Sequence, residues 1–216
     1  MKLALIIIVI VSVLSFAAYK ATAPTSSDRP IPMPWQVEVL DARHVEVFEL
    51  VLNRSTLGQA VEHFGLLEDI AIYRNPEGLF SLEAYLGKVS MGPLSARLIA
   101  NLAAEQGELE QLSGQVRKWT STENGSEKWV LSDHQKQQQL ARSIRGLTYI
   151  PDFADMQESM LLKHFGDPRQ RRQVDDNSQL WFYPEIGVRI LVDSEGREVF
   201  EYMSPADFAE TMGEQS

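Results

Sequence analysis

Residues 3–19, LALIIIVIVSVLSFAAY, run for seventeen positions without a charge. As a helix rising about 1.5 Å per residue, such a run spans roughly 26 Å, close to a hydrocarbon core of ~30 Å. No other feature constrains the chain as strongly, because it takes the first twenty residues out of the folded body. Two readings are open. One is an uncleaved transmembrane anchor. The other is a signal peptide with Lys2 as its basic start and small residues at its end. The best small-x-small site, Ala21-Thr22-Ala23, would leave Pro24 after the cut, which disfavours cleavage there. Ser15-Phe16-Ala17 would shorten the apolar run. Either reading sends the remaining chain out of the cytoplasm. The expected address is the inner membrane, single-pass, with the body in the periplasm or extracytoplasmic space. The alternative is secretion after cleavage.

Residues 21–34 follow as a spacer. Pro24, Pro30, Pro32 and Pro34 fall within it, and proline-rich chain is extended and semi-rigid. The 216-residue chain is 44% hydrophobic and 23% charged, a globular balance that excludes collagen, coiled coil and wholesale disorder. It has no cysteine, which excludes disulfides, thiolate catalysis and lipid attachment through cysteine. The net charge is −10, and the first 23 residues hold two lysines and no acid, so the body is more acidic still. Such a surface repels nucleic-acid phosphates, and the sequence carries no obvious basic stripe interleaved with aromatics. No nucleic-acid partner is expected.

Beyond the spacer, strand-like and helix-like segments alternate. Residues 44–52 read as one strand. Thr56 and Gln59 suit a capping box. Leu57, Ala60, Val61 and Phe64 then share one helical face, and Gly65 is the stop. Residues 79–86 and 88–91 read as the arms of a hairpin. Residues 95–102 suit strand or helix. Residues 115–120 and 127–131 flank an Asn124-Gly125 hairpin turn. Ser132 and Gln135 form a second capping box. Asp155 opens another helix, which Gly166 ends. Residues 180–183, 187–192 and 198–203 read as three strands, with a turn at 193–196. Pro205 opens a last helix from the first-turn position where proline is favoured.

His63-Phe64-Gly65 recurs as His164-Phe165-Gly166, an offset of 101. At that offset Phe80 meets Trp181, Lys88 meets Arg189 and Val89 meets Ile190. The order of elements supports a duplication more than residue identity does. The expected fold is α+β: two small helix-plus-antiparallel-sheet modules, read as a tandem repeat, behind an N-terminal membrane helix. The expected bodies are 35–114 and 146–216, joined by a hairpin and polar helix at 115–145.

Phe165-Gly166-Asp167-Pro168, the aromatic run Leu180-Trp181-Phe182-Tyr183, and the strand and turn ending in Gly196 together resemble the BamE (SmpA/OmlA) type of envelope module. The resemblance covers about fifty residues of the second half, or about a hundred if the first half is counted with it. Two departures stand out: no lipobox cysteine, and Leu66-Leu67 where the motif has Asp-Pro. The resemblance implies a binding or assembly role in a bacterial envelope, without catalysis.

Residue chemistry adds little that is catalytic. The four histidines show no ligand spacing. His63 and His164, equivalent under the repeat, suit the last turn of a helix. Asp175-Asp176-Asn177 lacks the ligand spacing of a calcium loop, and no GxSxG or phosphate-binding glycine loop occurs. No catalytic residue, metal or cofactor is expected. Trp181, Phe182 and Tyr183 are consecutive, so they point to both sheet faces. Either they pack in the core, or Trp181 or Tyr183 anchors a partner. Trp119 and Trp129 can pair across the Asn-Gly hairpin. The leading expectation is a membrane-tethered, non-enzymatic protein that binds an envelope protein as scaffold or accessory subunit. The alternatives are a binding module for a cell-wall or lipid ligand, recognised by a pocket with convergent polar groups, and a hydrolase with an unrecognised acidic site.

Overall fold

Two segments, 69–102 and 144–203, build most of a ten-stranded antiparallel sheet. The structure is a computed structural model, and it describes residues 32–91, 94–116, 118–122, 125–152, 156–194 and 198–213. The segment 3–19 expected to enter a membrane, most of the expected spacer, Asp155 and the Glu195-Gly196 part of the last turn lie outside the described residues. Among the described residues no helix is long and apolar enough to cross a membrane.

Strands β1 (Val37–Val39), β2 (Val45–Val47) and β3 (Leu50–Val51) form a separate three-stranded sheet. The chain continues through α1 (Leu57–Phe64), β4 (Asp69–Arg74), β5 (Phe80–Met91), β6 (Leu94–Leu102) and α2 (Gln106–Ser113). Then come β7 (Trp119–Ser121), β8 (Glu127–Val130), α3 (Asp133–Gln139) and β9 (Ile144–Pro151). The last third holds α4 (Glu158–Phe165), β10 (Gln170–Gln173), β11 (Ser178–Tyr183), a 3-10 turn (Pro184–Ile186), β12 (Val188–Asp193), β13 (Val199–Met203) and α5 (Pro205–Gly213). The large sheet runs β10-β11-β12-β13-β9-β6-β5-β4-β8-β7.

This order corrects the expectation of two small helix-plus-sheet modules. The last strand of the first segment, β6, pairs with the first strand of the second, β9, with Leu98 opposite Tyr149 and Ala100 opposite Leu147. An open sheet edge exposes unpaired backbone groups. Joining β6 to β9 removes one such edge from each half, and the sheets become continuous. The segment expected as a connector adds β8 and β7 beyond β4. Residues Pro32–Ser216 accordingly make one unit.

Local signals fare better. Thr56 Oγ1 accepts the Gln59 N–H at 3.3 Å, and the Thr56 N–H donates to Gln59 Oε1 at 2.8 Å. Ser132 and Gln135 make the same reciprocal pair. Residues 44–52 differ from the single strand expected. Phe48 and Glu49 take φ of 53° and 62°, and the chain reverses into β2 and β3.

The offset of 101 does not carry through the strands. Residues 80–91 form one strand where two hairpin arms were expected. At Gly87 (φ 92°) the register shifts by a bulge and the chain runs on. Its counterpart region has Pro184 and a left-handed Gly187, which make a turn between β11 and β12. Lys88 therefore shares a strand with Phe80, whereas Arg189 and Trp181 occupy neighbouring strands.

The core lies on one face of the large sheet. Leu82, Leu98, Tyr149, Phe200, Tyr202 and Trp181 are all buried there. Phe48 of the small sheet stacks on Tyr149 at 5.4 Å and meets Tyr202 edge-on at 5.5 Å. Phe165 of α4 packs 5.6 Å from Tyr183 and 6.0 Å from Phe200. Tyr202 donates its hydroxyl to the Pro34 carbonyl at 2.8 Å, fixing the start of the body.

Candidate functional site: a polar groove across the sheet

Residues alternate faces along a strand, so the neighbours of the core residues form the opposite face. Register brings Glu83 opposite Asn101, Asn101 opposite Gly146 and Ile99 opposite Thr148. Thr148 in turn lies opposite Glu201, and Glu201 opposite Arg189. The result is a polar band over four central strands and β12.

Two helices wall this band. Gln106, the first residue of α2, uses its side-chain amide as an extra strand residue. Its Oε1 accepts the Phe80 N–H at 2.7 Å and its Nε2 donates to the Phe80 carbonyl at 2.8 Å. That places α2 at the start of β5. On the other side Phe208 of α5 meets Phe182 edge-on at 6.3 Å. Ser204 caps α5, its Oγ accepting the Asp207 N–H at 3.1 Å. Asp207 then ties the helix down. It accepts from Arg145 Nε on β9 at 2.7 Å and from Asn53 Nδ2 at 2.9 Å.

Between the helices lies a groove of about 630 Å³. Ser81, Asn101, Thr148 and Glu201 contribute hydrogen-bonding groups, and Leu79, Phe80 and Leu109 contribute apolar wall. Both arginines of the groove are already matched. Arg189 pairs with Glu201, and Arg145 lies 2.6 Å from Asp207 and 2.8 Å from Glu210. Burial pushes the Asp207 carboxyl up, but the Ser204 hydroxyl, the Asn53 amide and the Arg145 guanidinium outweigh it. The group is held below the ordinary carboxylate range.

A smaller hollow of about 350 Å³ adjoins on the same face, over β4, β5 and β6. Glu83 lies in it. Burial pushes the Glu83 carboxyl above its usual range; a hydrogen bond from Ser81 at 2.9 Å opposes this and the Glu201 charge reinforces it. At its rim Asp69 bridges Lys128 at 3.0 Å and Lys136 at 2.8 Å.

The residues expected as partner anchors are elsewhere. Trp181 is 1% exposed and Tyr183 4%. Both belong to the core face, under α4, and Tyr183 donates its hydroxyl to the Gly166 carbonyl at 3.1 Å. Neither presents a ring to a partner, which corrects their assignment as candidate anchors. Trp119 and Trp129 do face each other across the hairpin, and Trp119 is 56% exposed. The histidines are scattered. His63 is 3.8 Å from Glu49, His164 stacks on Trp35 at 3.9 Å, and His44 pairs with Asp41 at 2.8 Å. Among the described residues no group of three or more His, Asp or Glu could hold a metal. Asp175 caps a turn, accepting the N–H groups of Asn177 and Ser178 at 2.9 and 2.8 Å.

Sequence reasoning did not single out Asn101, Thr148, Glu201 or Asp207. The signal was the partial alternation of residues 144–150 and 197–203, which marks a polar face without saying that helices flank it. Comparison with protein-family models, with curated proteins and with solved structures gives no match to this chain.

Proposed function

We propose that this chain is a non-enzymatic envelope protein, tethered outside the cytoplasm by residues 3–19, which binds a cell-wall ligand in the groove between α2 and α5. The observation that carries the reading is the groove itself: about 630 Å³, with hydrogen-bonding groups converging from four strands beside an apolar wall. That combination is the usual form of a small-ligand site. The ligand chemistry follows from the charges. Arg145 and Arg189 are already matched to carboxylates, so an anionic ligand would have to displace an acid. Asn101, Thr148 and Ser81 suit hydroxyl and amide groups of an uncharged glycan or glycopeptide. A lipid tail would leave them desolvated at a cost of about 1–3 kcal/mol each. The resemblance of the second half to BamE-type modules agrees with a binding role.

The test is calorimetric titration of the full-length protein in non-ionic detergent with soluble disaccharide-peptide fragments of peptidoglycan. Saturable binding is expected, weakened roughly tenfold or more by Thr148→Arg, which fills the groove floor. Absence of binding, or equal binding by Thr148→Arg, would sink the reading. A second reading, hydrolysis of the same fragments, draws on Glu83 in the adjoining hollow, whose carboxyl is raised by burial and by the Glu201 charge, the direction a proton donor needs. It requires product to form and Glu83→Gln to abolish turnover while binding persists.

A further inference from the structure

The two edge strands of the large sheet differ in charge. At one end β7 presents Trp119, Thr120 and Ser121, with Lys118 before it. At the other, β10 has the sequence Gln-Arg-Arg-Gln, preceded by Arg169, and all four of its residues are exposed. Three arginines thus fall within four positions at a sheet edge, in a chain of net charge −10. Whole-chain acidity hides this feature from a compositional reading.

The arginines are held in place. Arg171 lies opposite Trp181 in the register. Its guanidinium sits 4.3 Å from the centre of that buried ring and 3.4 Å from Glu158 of α4. Arg172 points to the other face, 5.3 Å from the Phe182 ring. Stacking on a fixed aromatic restrains a guanidinium that would otherwise lose rotamer freedom on binding. Trp181, expected as a partner anchor, serves here as the platform beneath one.

We infer that the outer edge of β10 docks an extended, acidic segment of a partner protein as a further strand of the sheet. Beyond β11, β10 pairs with no described strand, and alternate backbone N–H and C=O groups of an antiparallel edge strand point outward. An added strand would satisfy them, and its alternating side chains would straddle both faces. With Arg171 on one face and Arg172 on the other, acids on both sides of the incoming segment find a cation. The same charges repel the β10 edge of a second copy, which selects against self-association. The inference is independent of the groove.

The experiment uses the full-length protein in zwitterionic nanodiscs. The probe is a fluorescent eight-residue peptide in which pairs of glutamates alternate with pairs of valines, so that a strand of it carries acids on both faces; binding is followed by anisotropy. Controls are the same peptide with lysine for glutamate, and the glutamate peptide N-methylated at alternate backbone positions. Binding of the glutamate peptide alone is expected, and Arg172→Glu or Arg169→Glu should weaken it roughly tenfold. Neither variant touches the Trp181 platform, so unchanged melting separates binding from folding. Equal binding of the N-methylated peptide would overturn strand addition. So would no binding above the lysine control, or indifference to Arg172→Glu. Arginine-dependent binding to vesicles of anionic phospholipid without peptide binding would overturn it in favour of a membrane surface.

Discussion

Gly187→Ala is predicted to be among the most damaging single-methyl changes in this protein. Gly187 ends the 3-10 turn between β11 and β12 with a left-handed backbone, φ 65°. A Cβ there would stand 1.9 Å from the Met203 carbonyl oxygen and 3.0 Å from its carbon. The oxygen has little room to yield. Met203 is paired with Gly146 of β9, and its N–H donates to the Gly187 carbonyl at 2.9 Å. Alanine in the left-handed region costs about 1–2 kcal/mol. Losing the Gly187–Met203 hydrogen bond adds about 1 kcal/mol, and displacing β13 from the sheet centre adds roughly 1–3 kcal/mol of overpacking. The total is about 3–6 kcal/mol against a usual stability of ~5–15 kcal/mol. At ~2–4 °C per kcal/mol for a domain of this size, the melting temperature should fall by about 10 °C. Gly65→Ala is the internal control. Gly65 is also left-handed, φ 72°, but nothing lies within 4 Å of the place a methyl would take, so only the backbone term of about 1–2 kcal/mol applies. Thermal and urea unfolding of both variants, followed by far-ultraviolet circular dichroism, gives the comparison. Equal losses in the two variants would refute the close approach of Gly187 to β13.

Tyr149 has a buried hydroxyl with no hydrogen-bond partner among the described residues, so Tyr149→Phe should raise stability by about 1 kcal/mol. Tyr202→Phe should lower it by a similar amount, because it strands the Pro34 carbonyl; urea midpoints that move together would contradict this. Glu83 carries a pH signature. Burial raises its carboxyl, aided by Glu201 and opposed by Ser81, so the folded state holds the proton more tightly than the unfolded one. Its contribution is complete below the ordinary carboxylate range and is lost as pH rises through the raised value. Glu83→Gln should therefore gain stability over wild type on going from about pH 4 to pH 7, and a difference independent of pH would remove the burial argument. Trp181→Ala should cost about 3–5 kcal/mol and exposed Trp119→Ala under ~1 kcal/mol; the reverse ranking would mean that β11 is turned over.

What could be seen in the sequence was what neighbouring residues decide. The Thr56/Gln59 and Ser132/Gln135 capping boxes need four consecutive residues, and both form. Proline opens α5 where its missing N–H costs nothing. The charge-free run at 3–19 and the acidity of the body belong to the same class of local fact. Which strand pairs with which was not visible, because alternation states that a strand has two faces and not what covers either. The β6–β9 junction joins residues about fifty apart in the chain and turns two expected modules into one sheet. The same non-local step buried Trp181 and Tyr183 under α4. It also lined up Asn101, Thr148 and Glu201 from three separate strands between two helices. Backbone strain decided the rest: Gly87 lets β5 run straight through a bulge, while Pro184 and Gly187 turn its counterpart back. A strand's partners and its covered face are settled by the free energy of the whole assembled sheet, and no short window of sequence contains that sum.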